Sequence, residues 1–247
     1  MNAILFEEFK LYCKEKILLD LSDEIIQNFS RYFDEICLWN KNINLISFKS
    51  ESDLIYRHFC DSLYSAKMIR SLNENSKLKI ADLGTGSGMP GIPVKIFMPN
   101  IELTLVESIT KKCKFLENVK EKLNFNIEIL NTRAEEIGHK TDYRSKYDFV
   151  LSRAVSKFSP NLEIAVPLVK VGGYFIVHKT KNSVDSKDEG LISVENALRH
   201  LGAKLEKRID YNLPEQEYDY CVLAFKKYKE TPDMFPRKTG IPEKKPL

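Results

Sequence analysis

Apolar positions change their rhythm near residue 78, and that change divides the chain. Before it the period is helical. Ile25, Phe29, Tyr32, Ile36 and Trp39 recur at steps of four, three, four and three, which lines one face of a helix. Ser22 precedes the stripe as an N-cap, and Asp23 and Glu24 sit where the helix dipole favours negative charge. Ser50 and Asp53 open another helix that carries Leu54, His58 and Leu63 towards Met68. Trp39 lies on the apolar stripe, so a place in the core is expected of it over a base-stacking one.

Beyond residue 78, short β-rich runs alternate with helical segments. The runs are Leu78–Leu83, Glu102–Val106, Ile127–Leu130, Tyr147–Leu151 and Tyr174–Val177, with helices at Thr110–Leu123 and Leu162–Val169. Such alternation builds right-handed crossovers and a parallel sheet covered on both faces. A helix around Leu191–Leu201 is followed by Lys204–Tyr211 and Tyr218–Phe225, separated only by a loop around Pro214, so these two pair antiparallel. The expected fold is α/β: a mostly parallel seven-stranded, Rossmann-like sheet of the class I methyltransferase kind, closed by an antiparallel hairpin. Its expected parts are a helical extension over 1–75, the sheet domain over 76–228 and a basic tail over 229–247.

Composition narrows the class. Apolar residues at 43% support a core, and no uncharged apolar run approaches the roughly 18 residues of a membrane span. Glu7 and Glu8 interrupt the first apolar stretch, which argues against a signal peptide and for a cytoplasmic protein. Five scattered cysteines and four histidines without ligand spacing predict neither disulfides nor a metal site. The net charge of +3 is uneven: residues 226–247 hold seven Lys/Arg against three acids, net +4, which leaves −1 for the rest. That tail is a candidate phosphate contact or a solvated end.

The chemistry concentrates in Asp82-Leu83-Gly84-Thr85-Gly86-Ser87-Gly88-Met89-Pro90-Gly91-Ile92-Pro93, between a strand and a helix. Alternate glycines let the backbone turn sharply and approach a ligand. Gly86, Gly88 and Gly91 also satisfy the dinucleotide fingerprint, and Glu107, 21 residues after Gly86, suits the ribose of NAD or of S-adenosylmethionine. Asp82 separates the two. A carboxylate there repels a pyrophosphate and attracts the ammonium of a methionine moiety. Entry into the helix through Pro90 and Pro93 is likewise unusual for a dinucleotide loop. S-adenosylmethionine is the favoured cofactor.

With these residues in hand, the chain resembles the bacterial ribosomal RNA guanine-N7 methyltransferases of the RsmG (GidB) family. The similarity covers nearly the whole chain: Trp39-Asn40-Lys41 with Asn44-Leu45-Ile46-Ser47, Arg57-His58 with Asp61-Ser62-Leu63, the glycine loop, Glu107-Ser108 with Lys111-Lys112 and Phe115-Leu116, Ser152-Arg153-Ala154-Val155, and an ending from Pro236-Arg237-Lys238 to Pro246-Leu247. Glu107 and Val155 depart from the family's commoner Asp and Phe. The resemblance implies cofactor contacts at Gly84, Met89, Ala134, Glu135 and Arg153, beside Asp82, Gly86, Gly88 and Glu107 read from the loop. It also implies 16S rRNA or the small ribosomal subunit as partner; a monomer is expected, with neither metal nor membrane.

Guanine N7 carries a free lone pair, so no general base is assigned, and positioning supplies much of the catalysis. No Asn/Asp-Pro-Pro-aromatic motif follows the fourth strand, and no Pro-Cys pair is present. Arg153 and Lys179, at the ends of neighbouring strands, are expected to orient cofactor and base or a nearby phosphate. Arg57 and Asp61, four apart, are expected to pair, and His58 to reach Asp61, as a polar brace or as an active-site wall. RNA contacts are expected at Arg237, Lys238, Lys244 and Lys245, more than at Lys111, Lys112 or Lys114, with the target base unstacked into a pocket. The competing readings are an NAD(P)-dependent oxidoreductase, a non-catalytic RNA-binding protein, and a methyltransferase acting on small molecules or protein.

Overall fold

A computed structural model describes residues 3–153, 157–186 and 190–247. The N-terminal helices are α1 (Ala3–Tyr12), α2 (Asp23–Asn40), α3 (Glu51–Asp53) and α4 (Asp61–Leu72). Ser22 Oγ accepts from Ile25 N at 3.3 Å, and Ser50 Oγ accepts from Asp53 N at 3.1 Å, so both expected caps form. Between α3 and α4 the chain winds in wider π turns over Leu54–Cys60, a geometry common at functional sites.

The sheet consists of β1 (Lys79–Leu83), β2 (Glu102–Glu107), β3 (Ile127–Asn131), β4 (Tyr147–Arg153), β5 (Val169–Thr180), β6 (Ala203–Asn212) and β7 (Asp219–Lys227). The connecting helices are α5 (Gly91–Phe97), α6 (Thr110–Lys122), α7 (Ala134–Ile137), α8 (Phe158–Ala165), α9 (Lys181–Asp185) and α10 (Glu195–Leu201), with α11 (Ile241–Lys244) near the end of the chain. Strand order is β3-β2-β1-β4-β5-β7-β6. The first five strands run parallel, and β7 lies antiparallel between β5 and β6. This is the expected seven-stranded layout.

Three boundaries differ from the sequence reading. The helix expected from Leu162 begins at Phe158, because Pro160 sits in a first turn, where its missing N–H is tolerated. It gives way at Val166 to a 3-10 turn. The strand expected at Tyr174 begins at Val169, whose early pairing with Tyr147 shifts register before Phe149 meets Tyr174. The helix expected at Leu191 is preceded by a 3-10 turn and starts at Glu195.

Strand alternation splits the core into two layers. Ile80, Leu103, Leu105, Phe149, Leu151, Ile176 and Val222 face the N-terminal helices. Ala81, Leu83, Val150, Phe175, Val177 and Leu223 face α8 and α10. In the first layer Phe59 lies at the centre of an aromatic cluster, stacked on Tyr32 at 5.5 Å and tilted against Phe29 at 5.2 Å. Each such pair contributes about 0.5–1.5 kcal/mol beyond its buried area. Trp39 packs at the edge of this layer, T-shaped to Phe115 at 5.8 Å.

Residues 229–247 fold back against the sheet domain. Phe235 is 4% exposed, and Arg144 donates to the carbonyls of Thr231, Pro232 and Phe235. At its far end, Leu247 N donates to Ser159 Oγ at 3.1 Å.

Candidate active site

Asp82, the last residue but one of β1, is fully buried, with Oδ2 accepting from Thr85 Oγ1 at 2.6 Å and Gly91 N at 2.8 Å. The carboxylate therefore shapes the loop before it meets any ligand. Its other oxygen, Oδ1, is buried without a hydrogen-bond partner. Burial pushes the carboxyl up to about 7, against the opposing pull of Thr85, the Gly91 N–H and Arg153. An unpartnered buried acceptor is costly, and a cationic group above the loop would satisfy it.

Gly84, Gly86 and Gly88 adopt φ of 63°, 62° and 95°, which L side chains rarely take. A Cβ on Gly88 would come within 2.6 Å of Ile92 and 2.9 Å of the Tyr32 hydroxyl. Gly86 is different: a Cβ there would meet only Gly84 O and Lys112 Nζ, both at 3.9 Å. The loop is thus packed beneath and open above. Glu107, 5% exposed at the end of β2, accepts from Gly86 N at 2.9 Å and Ile109 N at 2.8 Å. Each oxygen keeps a second lone pair for a ribose hydroxyl. Orphaned acceptor, open cradle and rim carboxylate fit S-adenosylmethionine.

Two contributors to this cradle escape sequence reading. Tyr32 donates from α2 to Ser87 O at 2.5 Å, so the helical extension holds the loop directly. Its place on the helical stripe signals core, and nothing local marks the hydroxyl's target. Ile109, 49% exposed beside Glu107, places an apolar side chain at the rim of the cradle. An apolar residue two places after the acidic strand end was the available signal. Ala134 and Glu135, both half-buried, open α7 just beyond β3. Met89 is buried, and its sulfur accepts from Ser62 Oγ at 3.5 Å.

At the end of β4, Arg153 Nε lies 3.1 Å from Asp61 Oδ2, and one guanidinium nitrogen donates to His58 Nδ1 at 2.5 Å. Since Nδ1 accepts, Nε2 carries the proton and donates to Ser47 O at 3.1 Å. Burial first and the Arg153 charge second push the imidazole down to about 3, so His58 stays neutral at working pH. Tyr211 donates to Asp61 Oδ1 and accepts from His178 Nδ1 at 3.0 Å, and Ser65 Oγ lies 2.5 Å from His178 Nε2. Burial alone would raise the Asp61 carboxyl; His178, Arg153 and the Tyr211 hydroxyl win and hold it below the usual carboxylate range.

These contacts correct the expected pairing. Arg57 lies 3.9 Å from Asp53, not against Asp61, because Arg153 reaches Asp61 from the sheet while Arg57 stays 42% exposed. His58 likewise meets Arg153 and not Asp61. The brace exists, but it runs from helix to strand.

Lys179 does not join Arg153. Arg153 is registered with His178, so the next residue along β5 points to the opposite face. There its Nζ sits 5.5 Å from the Phe158 ring centroid. Among the tail candidates, Lys238, Lys244 and Lys245 are exposed. Arg237 is half-buried, and its backbone N, Nε and one terminal nitrogen donate to Glu163, which is fully buried. Val155 and Ala154 lie outside the described residues. Among those residues no cluster of three or more His, Cys, Asp or Glu is placed to hold a metal ion, and no helix is long and apolar enough to cross a membrane.

Comparison with known proteins bears on this geometry. The GidB family, described as rRNA small subunit methyltransferase G, matches residues 25–220. Ribosomal RNA small subunit methyltransferase G of Alkaliphilus oremlandii is 38% identical over 93% of this chain and 93% of its own. The protein of the same name from Acetivibrio thermocellus is 39% identical over 93% and 91%. Among solved structures, Aeropyrum pernix fibrillarin with natively bound S-adenosyl-L-methionine superposes with a TM-score of 0.51 over 68% of this chain and 76% of that one. At 16% identity, that likeness shows the fold alone.

Proposed function

Since the chain belongs to the rRNA small subunit methyltransferase G family, we propose that it methylates N7 of a guanine in small-subunit ribosomal RNA, as a cytoplasmic monomer. It is an S-adenosylmethionine-dependent methyltransferase, and the dinucleotide alternative left open by the glycine pattern falls away.

The observation that carries the site reading is the orphaned Asp82 Oδ1 beneath an open glycine cradle. Asp82 takes the ammonium of the methionine moiety, Glu107 the ribose hydroxyls, and Ala134 and Glu135 border the adenine. When bound, the cofactor supplies an activated methyl group. The chain's own work is then to orient and to exclude water. Arg153 shares the sheet face of Asp82, and its charge bears on that carboxyl. Fixed by Asp61 and His58, it presents a rigid positive edge to the cofactor's carboxylate or to the base.

No proton need leave N7 before attack. The ionisable groups around Arg153 agree with that: His58 is held neutral with both nitrogens engaged, and Asp61 is paired. Lys238, Lys244 and Lys245 supply phosphate contacts, and Arg237 serves by docking the segment that carries them.

The test is methyl transfer from labelled cofactor to small subunits purified from cells lacking this gene, followed by mapping of the methylated nucleotide. Label at a guanine N7 of the small-subunit RNA is expected. Label at an exocyclic amine, at a ribose or only in protein would overturn the assignment.

A further inference from the structure

Lys112 lies in the first turn of α6, where the helix dipole disfavours positive charge. It also lies on the inward stripe of that helix, four residues before Leu116 and seven before Val119, both buried. An apolar side chain would continue the core at such a position. Lys112 is instead half-buried, and its ammonium reaches back over the glycine loop. Nζ stands 3.9 Å from the point that a Cβ on Gly86 would occupy, on the open side of the cradle. Among the described residues this ammonium has no hydrogen bond or ion pair. Lys111 and Lys114, on either side of it in the chain, are exposed.

Gly86 brings Lys112 together with Glu107. Its N–H donates to Glu107 Oε2 at 2.9 Å, so carboxylate and ammonium border the same glycine without pairing with each other. An ammonium can only donate, and a carboxylate can only accept. A ligand group between them has to accept from one and donate to the other. A hydroxyl does both. A phosphodiester has no proton to give Glu107 and is repelled by it, and a cation is repelled by Lys112. The two residues together therefore select a neutral hydroxyl, and a ribose carries two side by side.

Resting on the cradle reading above, which sets the cofactor's ribose at Glu107, we infer that Lys112 is a further cofactor-binding residue. Its ammonium donates to the ribose hydroxyl whose proton Glu107 accepts. That hydroxyl is held from both sides, and the nucleoside half of the cofactor is fixed with it. The same charge is unfavourable in the free helix and satisfied in the loaded cradle, so its place on α6 lowers helix stability and raises ribose affinity.

Lys112→Met keeps an unbranched apolar stem and removes the ammonium. Calorimetry on the full chain, without RNA, compares S-adenosylhomocysteine, the demethylated cofactor, with its 2′-deoxy and 3′-deoxy forms. In the wild type, loss of one of the two hydroxyls is expected to weaken Kd about 30-fold, because hydrogen bonds to charged groups are the strong ones. In Lys112→Met the same loss is expected to weaken Kd only about threefold, one of the two charged partners being gone already. Lys112→Ala is expected to show the same reduced sensitivity, so the result does not depend on how the methionine packs. The urea midpoint of Lys112→Met should equal or exceed that of the wild type, since a disfavoured first-turn charge has been removed. Equal sensitivity to the hydroxyls in the wild type and both variants would overturn the role of Lys112 and leave the cradle standing. A wild type that binds the ligand but is indifferent to both hydroxyls would take the ribose away from Glu107, and the cradle reading would fail together with this one.

Discussion

The two faces of one sheet edge are built on opposite principles. Towards the N-terminal helices, half-buried Arg153 and buried Asp61, His58, His178 and Tyr211 engage one another. Towards α8, Ser152 is fully buried with its hydroxyl unpartnered, and Lys179 lines a groove. On β5 the adjacent residues His178 and Lys179 thus serve a closed lock and an open groove, separated by nothing more than the two-residue period of a strand. A buried ion pair is weak evidence for stability and better evidence for fixed geometry. Here it holds a guanidinium in place beside the cradle.

The largest effect that tests this contrast comes from removing the lock. Asp61→Ala leaves Arg153 charged and Tyr211 without its acceptor in a site where the carboxylate is only 6% exposed. Loss of about 3–5 kcal/mol is expected from urea denaturation. Lys179→Ala, on the open face, is expected to cost less than about 1 kcal/mol. Equal losses would erase the distinction. The acid limb follows from the same residue. The Asp61 carboxyl is lowered in the folded state, so its contribution is complete above the ordinary carboxylate value and fades as pH falls towards the folded one. Asp61→Asn therefore flattens acid unfolding below about pH 4.

Cofactor binding gives the next largest effect, and it sharpens the comparison because Asp82 belongs to the lock's face yet is unfinished. Its carboxyl is raised to about 7. The neutral form stabilises the fold fully below the ordinary value, and that contribution is lost as pH rises through 7. A cation bound above Asp82 reverses the loss. Cofactor affinity measured by calorimetry is expected to be about tenfold weaker at pH 6 than at pH 8. Asp82→Asn is expected to bind weakly at both. A wild-type affinity independent of pH over that range would show that Asp82 does not meet the ammonium.

How much of this the sequence displays depends on distance along the chain. The cradle is contiguous: its glycines take positive φ, and its carboxylates sit at strand ends that apolar runs mark. The parallel sheet and its closing hairpin follow from alternation and loop length, whereas the insertion of β7 between β5 and β6 does not. The lock is invisible in the same reading because Arg153 and His58 are 95 residues apart, and Tyr211 and Asp61 are 150 apart. Helical spacing proposed Arg57 for Asp61, but spacing within one helix says nothing of a guanidinium arriving from the sheet. Lys179 and Arg153 lie on adjacent strands but in opposite phase, because Arg153 pairs with His178. The charge of the tail does not set Arg237 apart from its lysines, because Glu163, buried opposite it, lies 74 residues away.

The smallest expected effect is the most discriminating about chemistry. His58 touches Arg153 through Nδ1 and the Ser47 carbonyl through Nε2, and its imidazole is pushed down to about 3. Between pH 6 and 9 it neither gains nor loses a proton. His58→Asn keeps a polar side chain with an oxygen to accept from Arg153 and a nitrogen to donate. The shape of the pH–rate profile should then be unchanged, even where the rate itself falls through imperfect positioning. A bell-shaped limb that vanishes in His58→Asn would instead make the histidine a proton carrier, and the closed face would no longer be only a lock.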